Sequence, residues 1–167
     1  MNNGFFVGFD DTDSPRGLCT TFLATQVISE FSDFDLIGYP SLVRLNPNIP
    51  WKTRGNGAVS VRFGKGAGRP FWAGRFGEAE VRAYPRSGEC LVRLEHLLER
   101  LDRVVLANSA RGEKATNPAV FVSRQRPPEA LYTNAVRELV RRPHPQVVRI
   151  GSVAQGAGCP VRLCFPC

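Results

Sequence analysis

Phe5-Phe6-Val7-Gly8-Phe9 is a run with four apolar residues in five, and it stops abruptly on Asp10-Asp11-Thr12-Asp13-Ser14. A short apolar run bounded by turn residues reads as a buried strand, so three carboxylates within four positions arrive together at one strand end. Crowding like charges costs free energy unless a cation screens them. Mg²⁺ is such a screen, and it typically takes one or two carboxylates together with phosphate oxygens. After Pro15-Arg16-Gly17-Leu18, the residues Cys19-Thr20-Thr21 lead into an apolar-periodic segment. The N-terminus of the helix expected there offers free N–H groups and a positive dipole to an anion. An Asx-type turn accounts for one aspartate after a strand, but not for three. Acids beside an anion-binding helix end point to phosphoryl transfer.

Along the chain, residues 4–9 are expected as a strand and 10–18 as a loop. Residues 20–31 are expected as a helix, with Leu23, Val27 and Phe31 at four-residue spacing. Residues 36–45 read as one strand bent at Gly38 and Pro40, and 46–56 as irregular because Pro47, Pro50 and Gly55 interrupt it. Residues 57–63 alternate as a half-buried strand does. Residues 64–77 hold five glycines and a proline in fourteen positions and read as a long surface loop. A strand over 78–84 is followed by a helix over 89–105. That helix would carry Leu91, Leu94, Leu98, Leu101 and Val105 on one face, with Ser87 as its N-cap. Residues 107–118 are polar and turn-rich. Short strands over 119–122 and 147–150 flank a helix over 129–142, which Pro143 ends. Interleaved strands and helices place the chain in the α/β or α+β class.

The 167 residues suit one domain, or one domain and part of another. No apolar run reaches the roughly 18 residues a membrane span needs, and the N-terminus lacks a signal-peptide pattern, so the expected compartment is the cytoplasm. Five cysteines, three of them among the last nine residues, argue against a secreted disulfide framework. Cys159, Cys164 and Cys167 lack a nearby fourth partner for zinc, since His144 is distant and flanked by prolines. Charge is uneven: residues 1–64 carry 5 basic and 6 acidic side chains, and residues 65–167 carry 17 and 9. The basic excess is nearly all arginine, whose planar fork suits phosphate. It fits a solvated surface or a polyanion-binding one.

Two further stretches carry chemistry. Thr20 and Thr21 fit a helix cap, which needs one hydroxyl, or a hydroxyl held near a bound nucleotide as metal ligand or phosphoryl acceptor. In Val43-Arg44-Leu45-Asn46-Pro47-Asn48-Ile49-Pro50-Trp51-Lys52-Thr53-Arg54-Gly55-Asn56, the prolines stiffen the segment. Lys52 and Arg54 supply cations and the asparagines supply amides, a combination suited to a nucleotide's phosphates and base edges. Trp51 fits either a base-stacking role or a core anchor.

Together these strings resemble the archaeal agmatidine synthetases of isoleucine tRNA. The matching residues are Val7 to Ser14, Gly17-Leu18-Cys19-Thr20-Thr21 and Leu42 to Asn56, with Thr116-Asn117-Pro118 as a later landmark. The resemblance is strong over 4–63, loose over 64–113 and moderate over 114–150. It implies an unusual, mixed-sheet kinase-type domain over 1–113, followed by an incomplete ferredoxin-like domain over 114–167. Enzymes of that family use ATP to phosphorylate the C2 oxygen of the wobble cytidine, and agmatine then displaces the phosphate. The implied partners are therefore the anticodon loop of isoleucine tRNA and agmatine, and the implied cofactors are ATP and Mg²⁺.

By position, Asp10, Asp11 and Asp13 match the acids around the metal and the ATP phosphates. Thr20 matches the threonine that becomes phosphorylated, which overrides the capping reading. Thr12, Ser14, Thr21, Lys52, Arg54 and Asn56 are the implied ATP and phosphate contacts. The family's OB-fold and zinc ribbon do not follow in this sequence, and from about Gly151 the likeness dissolves. The expectation is a kinase portion with an irregular tail. Two other classes remain open: a nucleotide- or RNA-binding module without turnover, and a small phosphotransferase using an aspartate nucleophile.

Overall fold

The computed structural model describes residues 4–14, 17–50, 56–110, 116, 118–126, 128–138 and 147–149. Their architecture is a mixed sheet with helices on its faces. β1 (Phe5–Asp10) is central, with β4 (Gly57–Ala67) on one side and β8 (Ala119–Ser123) on the other, both antiparallel to it. β4 is long enough to serve several neighbours. It pairs with β2 (Asp35–Ile37), β3 (Ser41–Arg44) and β7 (Arg86–Gly88) at successive stretches. β2 continues the sheet to β6 (Ala79–Tyr84), which forms a hairpin with β5 (Phe71–Phe76). β9 (Val147–Arg149) lies against β8. Among the described pairs only β2–β6 is parallel.

Strand alternation decides the two faces. Phe5, Val7 and Phe9 of β1 join Val59, Val61 and Phe63 of β4 and Val120 and Val122 of β8 in the main core. Two helices cover that face. α1 (Thr20–Glu30) buries Leu23, Ala24 and Val27, and α2 (Leu94–Ala107) buries Leu97, Leu101 and Val105. On the other face, α3 (Glu129–Arg137) sets Ala135, with Leu131 and Tyr132, over Val43, Ala58 and Ala119. No helix among the described residues is long and apolar enough to cross a membrane.

Several expectations need correction. Residues 64–77 are not a loop: β4 runs through to Ala67 and β5 begins at Phe71. Two of the glycines are strand positions against which other side chains lie. A Cβ on Gly66 would stand 2.4 Å from the Tyr84 ring, and one on Gly64 would stand 2.1 Å from Ser87 Oγ. Glycine inside a strand commonly marks such close approach. The expected single strand over 36–45 is two, β2 and β3, parted at 38–40, where Gly38 takes a φ of +71°.

The second helix begins at Leu94, not 89, with Arg93 as N-cap. Ser87 lies in β7, and Leu91 is 76% exposed rather than on the buried face. The cause is Arg124, whose guanidinium binds the carbonyls of Cys90 and Val92 and holds that stretch extended. Burial pushes the Cys90 thiol up, with the charge of Arg124 opposing, which suits a packing residue rather than a reactive one. The third helix ends at Arg137, followed by an extended Glu138, rather than running to 142. Across the expected domain boundary at 113/114 the sheet is continuous, because β8 pairs with β1 over five residues.

The end of α1 is clamped to α2 by Arg100. Its guanidinium pairs with Glu30 at 3.3 Å and with Asp33 at 2.7 Å, and it lies 4.7 Å from the centroid of the Phe31 ring. The hydrogen bond from Arg100 holds the Asp33 carboxyl below its ordinary range, and that bond likewise raises Arg100. Arg100→Ala is expected to cost about 1–2 kcal/mol, discounted because Asp33 is more than half exposed. A carboxylate with a depressed folded pKa stabilises above its unfolded value and loses that contribution as pH falls through the folded one. The gap between parent and variant in urea midpoint should therefore be full at pH 7 and narrower at pH 3. An equal gap at both would remove Asp33 from the account.

Candidate phosphate-binding site

The strand carrying the acids ends as the sequence suggests, and its last residue points away from the main core. Asp10 shares a sheet face with Phe6 and Gly8, and it pairs with Ala119. The chain then turns sharply: Asp11 adopts φ +55° and accepts burial to 2% exposure. Its N–H donates to Asp10 Oδ1 at 2.6 Å. Aspartate is among the residues that tolerate the left-handed region. Leu18, on the other side of the loop, has φ +62° while 46% exposed. A bulky residue there stores of order 1–3 kcal/mol. Thus both ends of the acid loop depart from relaxed geometry.

Between them, Ser14 and Gly17 exchange backbone hydrogen bonds at 2.9 and 3.3 Å, and Ser14 Oγ also donates to the Gly17 carbonyl. That pinch returns the chain to α1. The N-cap is Cys19, which makes no side-chain capping bond, so neither threonine caps the helix. Thr20 is the first helical residue and 9% exposed, and its Oγ1 accepts from Thr12 Oγ1 at 3.2 Å. Thr21 is exposed, its hydroxyl 2.8 Å from Cys19 Sγ. Thr12 is 1% exposed and Asp13 half-buried.

Two distant segments brace this loop, and sequence reasoning did not find them. The Ala110 N–H donates to the Thr12 carbonyl at 3.1 Å, and Thr116 Oγ1 donates to the Asp13 carbonyl at 2.7 Å. The string Thr116-Asn117-Pro118 was the available signal, although it carried no role.

Among the described residues, no three His, Cys, Asp or Glu side chains converge into a metal-holding group. The aspartates are gathered in one loop, but not into a three-carboxylate cage. The donor set suits a hard ion that arrives with phosphate oxygens and needs only one or two carboxylates.

The second expected constellation is only partly described. Lys52 and Arg54, together with Trp51, lie outside the described residues. Asn56 spends an amide N–H on the Asn46 carbonyl at 2.9 Å, while its own carbonyl accepts from Leu45 at 2.8 Å. Asn46 is held in turn by the Ala135 carbonyl, and its Oδ1 receives the Asn48 N–H. These asparagines close the base of the segment. Cys159, Cys164 and Cys167 also lie outside the described residues.

The sequence model of the TiaS TCKD domain matches residues 6–151. The isoleucine-tRNA 2-agmatinylcytidine synthetase TiaS of Thermoplasma volcanium is 38% identical over 141 residues, covering 81% of this chain and 30% of that protein. Its counterpart in Archaeoglobus fulgidus is 60% identical over 57 residues, 33% of this chain and 14% of the relative. A crystal structure of TiaS in complex with isoleucine tRNA and ATP superposes with a TM-score of 0.57 at 28% identity, covering 83% of this chain and 28% of that one. A complex of TiaS with the same tRNA, AMPCPP and agmatine gives 0.56 at 25% identity, covering 83% of this chain and 28% of that one. The chain therefore spans under a third of the length of these relatives.

Proposed function

The chain belongs to the TiaS family, matching its TCKD domain, and on that premise we propose that it binds ATP and transfers the γ-phosphoryl group in agmatidine formation on isoleucine tRNA. The γ-phosphoryl passes to the C2 oxygen of the wobble cytidine as ADP leaves. The amine nitrogen of agmatine then attacks C2 and expels phosphate. Oxygen at C2 is a poor leaving group until phosphorylated, so the ATP-driven step comes first.

The observation that carries this reading is the braced acid loop facing the N-terminal turn of α1. Catalysis of phosphoryl transfer is mostly positioning and charge neutralisation. Asp10, Asp11 and Asp13 would hold Mg²⁺ through one or two carboxylates, and bound there the ion would neutralise charge on the phosphate oxygens. Thr21, with the α1 N–H groups, would receive phosphate oxygens, Ser14 would hold the loop in shape through its bonds to Gly17, and Lys52, Arg54 and Asn56 would take the rest of the nucleotide. Thr20 is the phosphoryl acceptor of the chain itself. Thr12 donates to its oxygen, which leaves the Thr20 proton for another acceptor and holds the nucleophile in one rotamer.

Incubation with γ-labelled ATP and Mg²⁺ is expected to label Thr20. Thr20→Ala should lose the label, and Thr20→Ser should retain most of it. ATP binding without transfer would instead favour a nucleotide- or RNA-binding module. Label on an aspartate, released by hydroxylamine, would favour an aspartate-dependent phosphotransferase.

A further inference from the structure

A cavity of about 410 Å³ opens on the sheet face opposite α1 and α2, among Ser41, Ser60, Arg62 and Arg126. We propose that it binds a phosphate dianion, free or at the end of a small organic molecule, as a second anion site independent of the acid loop.

The two sites are walled off from each other. Phe6, at the cavity, and Asp10 lie on one face of β1, but Gly8 between them is buried. Beyond it, α3 closes the face over Ala58 and Ala119.

Charge selects the occupant. Arg62 and Arg126 bring two guanidiniums to the cavity, and among the described residues no aspartate or glutamate lines it. Arg126 is exposed and has no ion-pair partner among the described residues. Arg62 is steadied by Phe6, its guanidinium carbon 5.2 Å from the ring centroid. Guanidinium forks match the oxygens of phosphate. Two such charges balance a phosphomonoester, which is largely a dianion at neutral pH, better than they balance a single carboxylate.

The floor supplies hydroxyls. Ser41 and Ser60 are directly paired across β3 and β4, so both stand on this face. Ser60 is 4% exposed, yet among the described residues its hydroxyl finds no hydrogen-bond partner, and neither does that of Ser41. A buried hydroxyl left so costs stability until a ligand or water completes it. Beside two guanidiniums, both are placed to donate to one anion. Phe6, Ile37 and Tyr39 add an apolar wall on which an attached organic group can lie. The volume is within the range of small-ligand sites.

The test titrates the 167-residue chain by calorimetry with phenyl phosphate, inorganic phosphate and benzoate at neutral pH. Phenyl phosphate is expected to bind saturably, with a Kd of about 1 mM or tighter. Benzoate should bind roughly tenfold more weakly, and Arg126→Gln should weaken phenyl phosphate by a similar factor, as loss of one charged hydrogen bond does. Because Arg126 is exposed, that variant keeps the fold. Ser60→Ala should weaken binding about threefold, the share of a neutral hydrogen bond, while melting no lower than the parent. A purely structural serine would give the reverse, a lower melting temperature with binding intact. Arg103→Gln, exposed on α2 behind the opposite face, should change neither readout.

Inorganic phosphate binding as tightly as phenyl phosphate would assign the site to free phosphate, and tighter phenyl phosphate would assign it to a phosphorylated small molecule; both support the proposal. No saturable binding by the parent overturns it, as does unchanged affinity in the Arg126 or Ser60 variant, or an equal loss in the Arg103 variant. Benzoate matching phenyl phosphate overturns the choice of a dianion. Sensitivity to Thr21→Ala in place of Arg126→Gln would put the anion at the α1 N-terminus and overturn the proposal as well.

Discussion

Asp11→Asn is expected to leave the protein folded and remove the ATP-dependent labelling proposed for it. Asparagine occupies the left-handed region at least as readily as aspartate, so the φ of +55° at this position survives the change. The side chain keeps its shape and loses only its charge. Stability should stay within about 1 kcal/mol of the parent. Labelling of Thr20 should nonetheless fall about a hundredfold to a thousandfold, the usual loss when one preorganised electrostatic group leaves a transfer site. A rise in melting temperature with ATP and Mg²⁺ is expected of the parent, and it should shrink in step. If both readouts match the parent, the carboxylates are not where the triphosphate binds.

Phe31→Ala is expected to have the largest effect on stability. Phe31 is fully buried at the end of α1. It stacks on Phe63 at 5.2 Å with the planes 20° apart, and touches Phe5 and Phe34 at 6.3 and 6.4 Å. Its other side carries the Arg100 guanidinium. Truncating such a ring costs about 3–5 kcal/mol, a large share of the roughly 5–15 kcal/mol that holds a typical domain together. The melting temperature should drop by about 10 °C or more. Phe31→Leu should recover most of the loss, because volume matters more than ring electrostatics here. A double-mutant cycle with Arg100→Ala should show coupling of about 0.5–1 kcal/mol. A drop of only a degree or two would mean that the aromatic cluster is not the keystone of the α1–sheet contact.

The acid-bearing strand, its loop and the helix after it were legible because each signal is local. Phe5 to Phe9 are apolar enough to demand burial, the run of aspartates marks where the strand gives way to a loop, and Leu23 and Val27 repeat at helical spacing. The long strings around Asp10 and Asn46 pointed to the family for the same reason. Other features were not legible. The glycines of 64–77 looked like loop residues because nothing nearby says that Tyr84 lies against Gly66 or Ser87 against Gly64. Leu91 matched the helical period of α2, but Arg124, more than thirty residues on, took the carbonyls of Cys90 and Val92 and delayed the helix. The hydroxyl pair of Thr12 and Thr20 and the braces from Ala110 and Thr116 are likewise set by segments that meet only in space.

From the sequence alone come the strand–aspartate–helix unit, the α/β class and the family likeness, all of which rest on interactions within a few residues along the chain. Tertiary structure alone decides which glycines are strand positions, where α2 begins, which hydroxyl steadies Thr20, and that Arg62 and Arg126 share one cavity. Those outcomes depend on backbone carbonyls, rings and guanidiniums from remote segments competing for the same space and the same hydrogen bonds. No local pattern records who wins that competition.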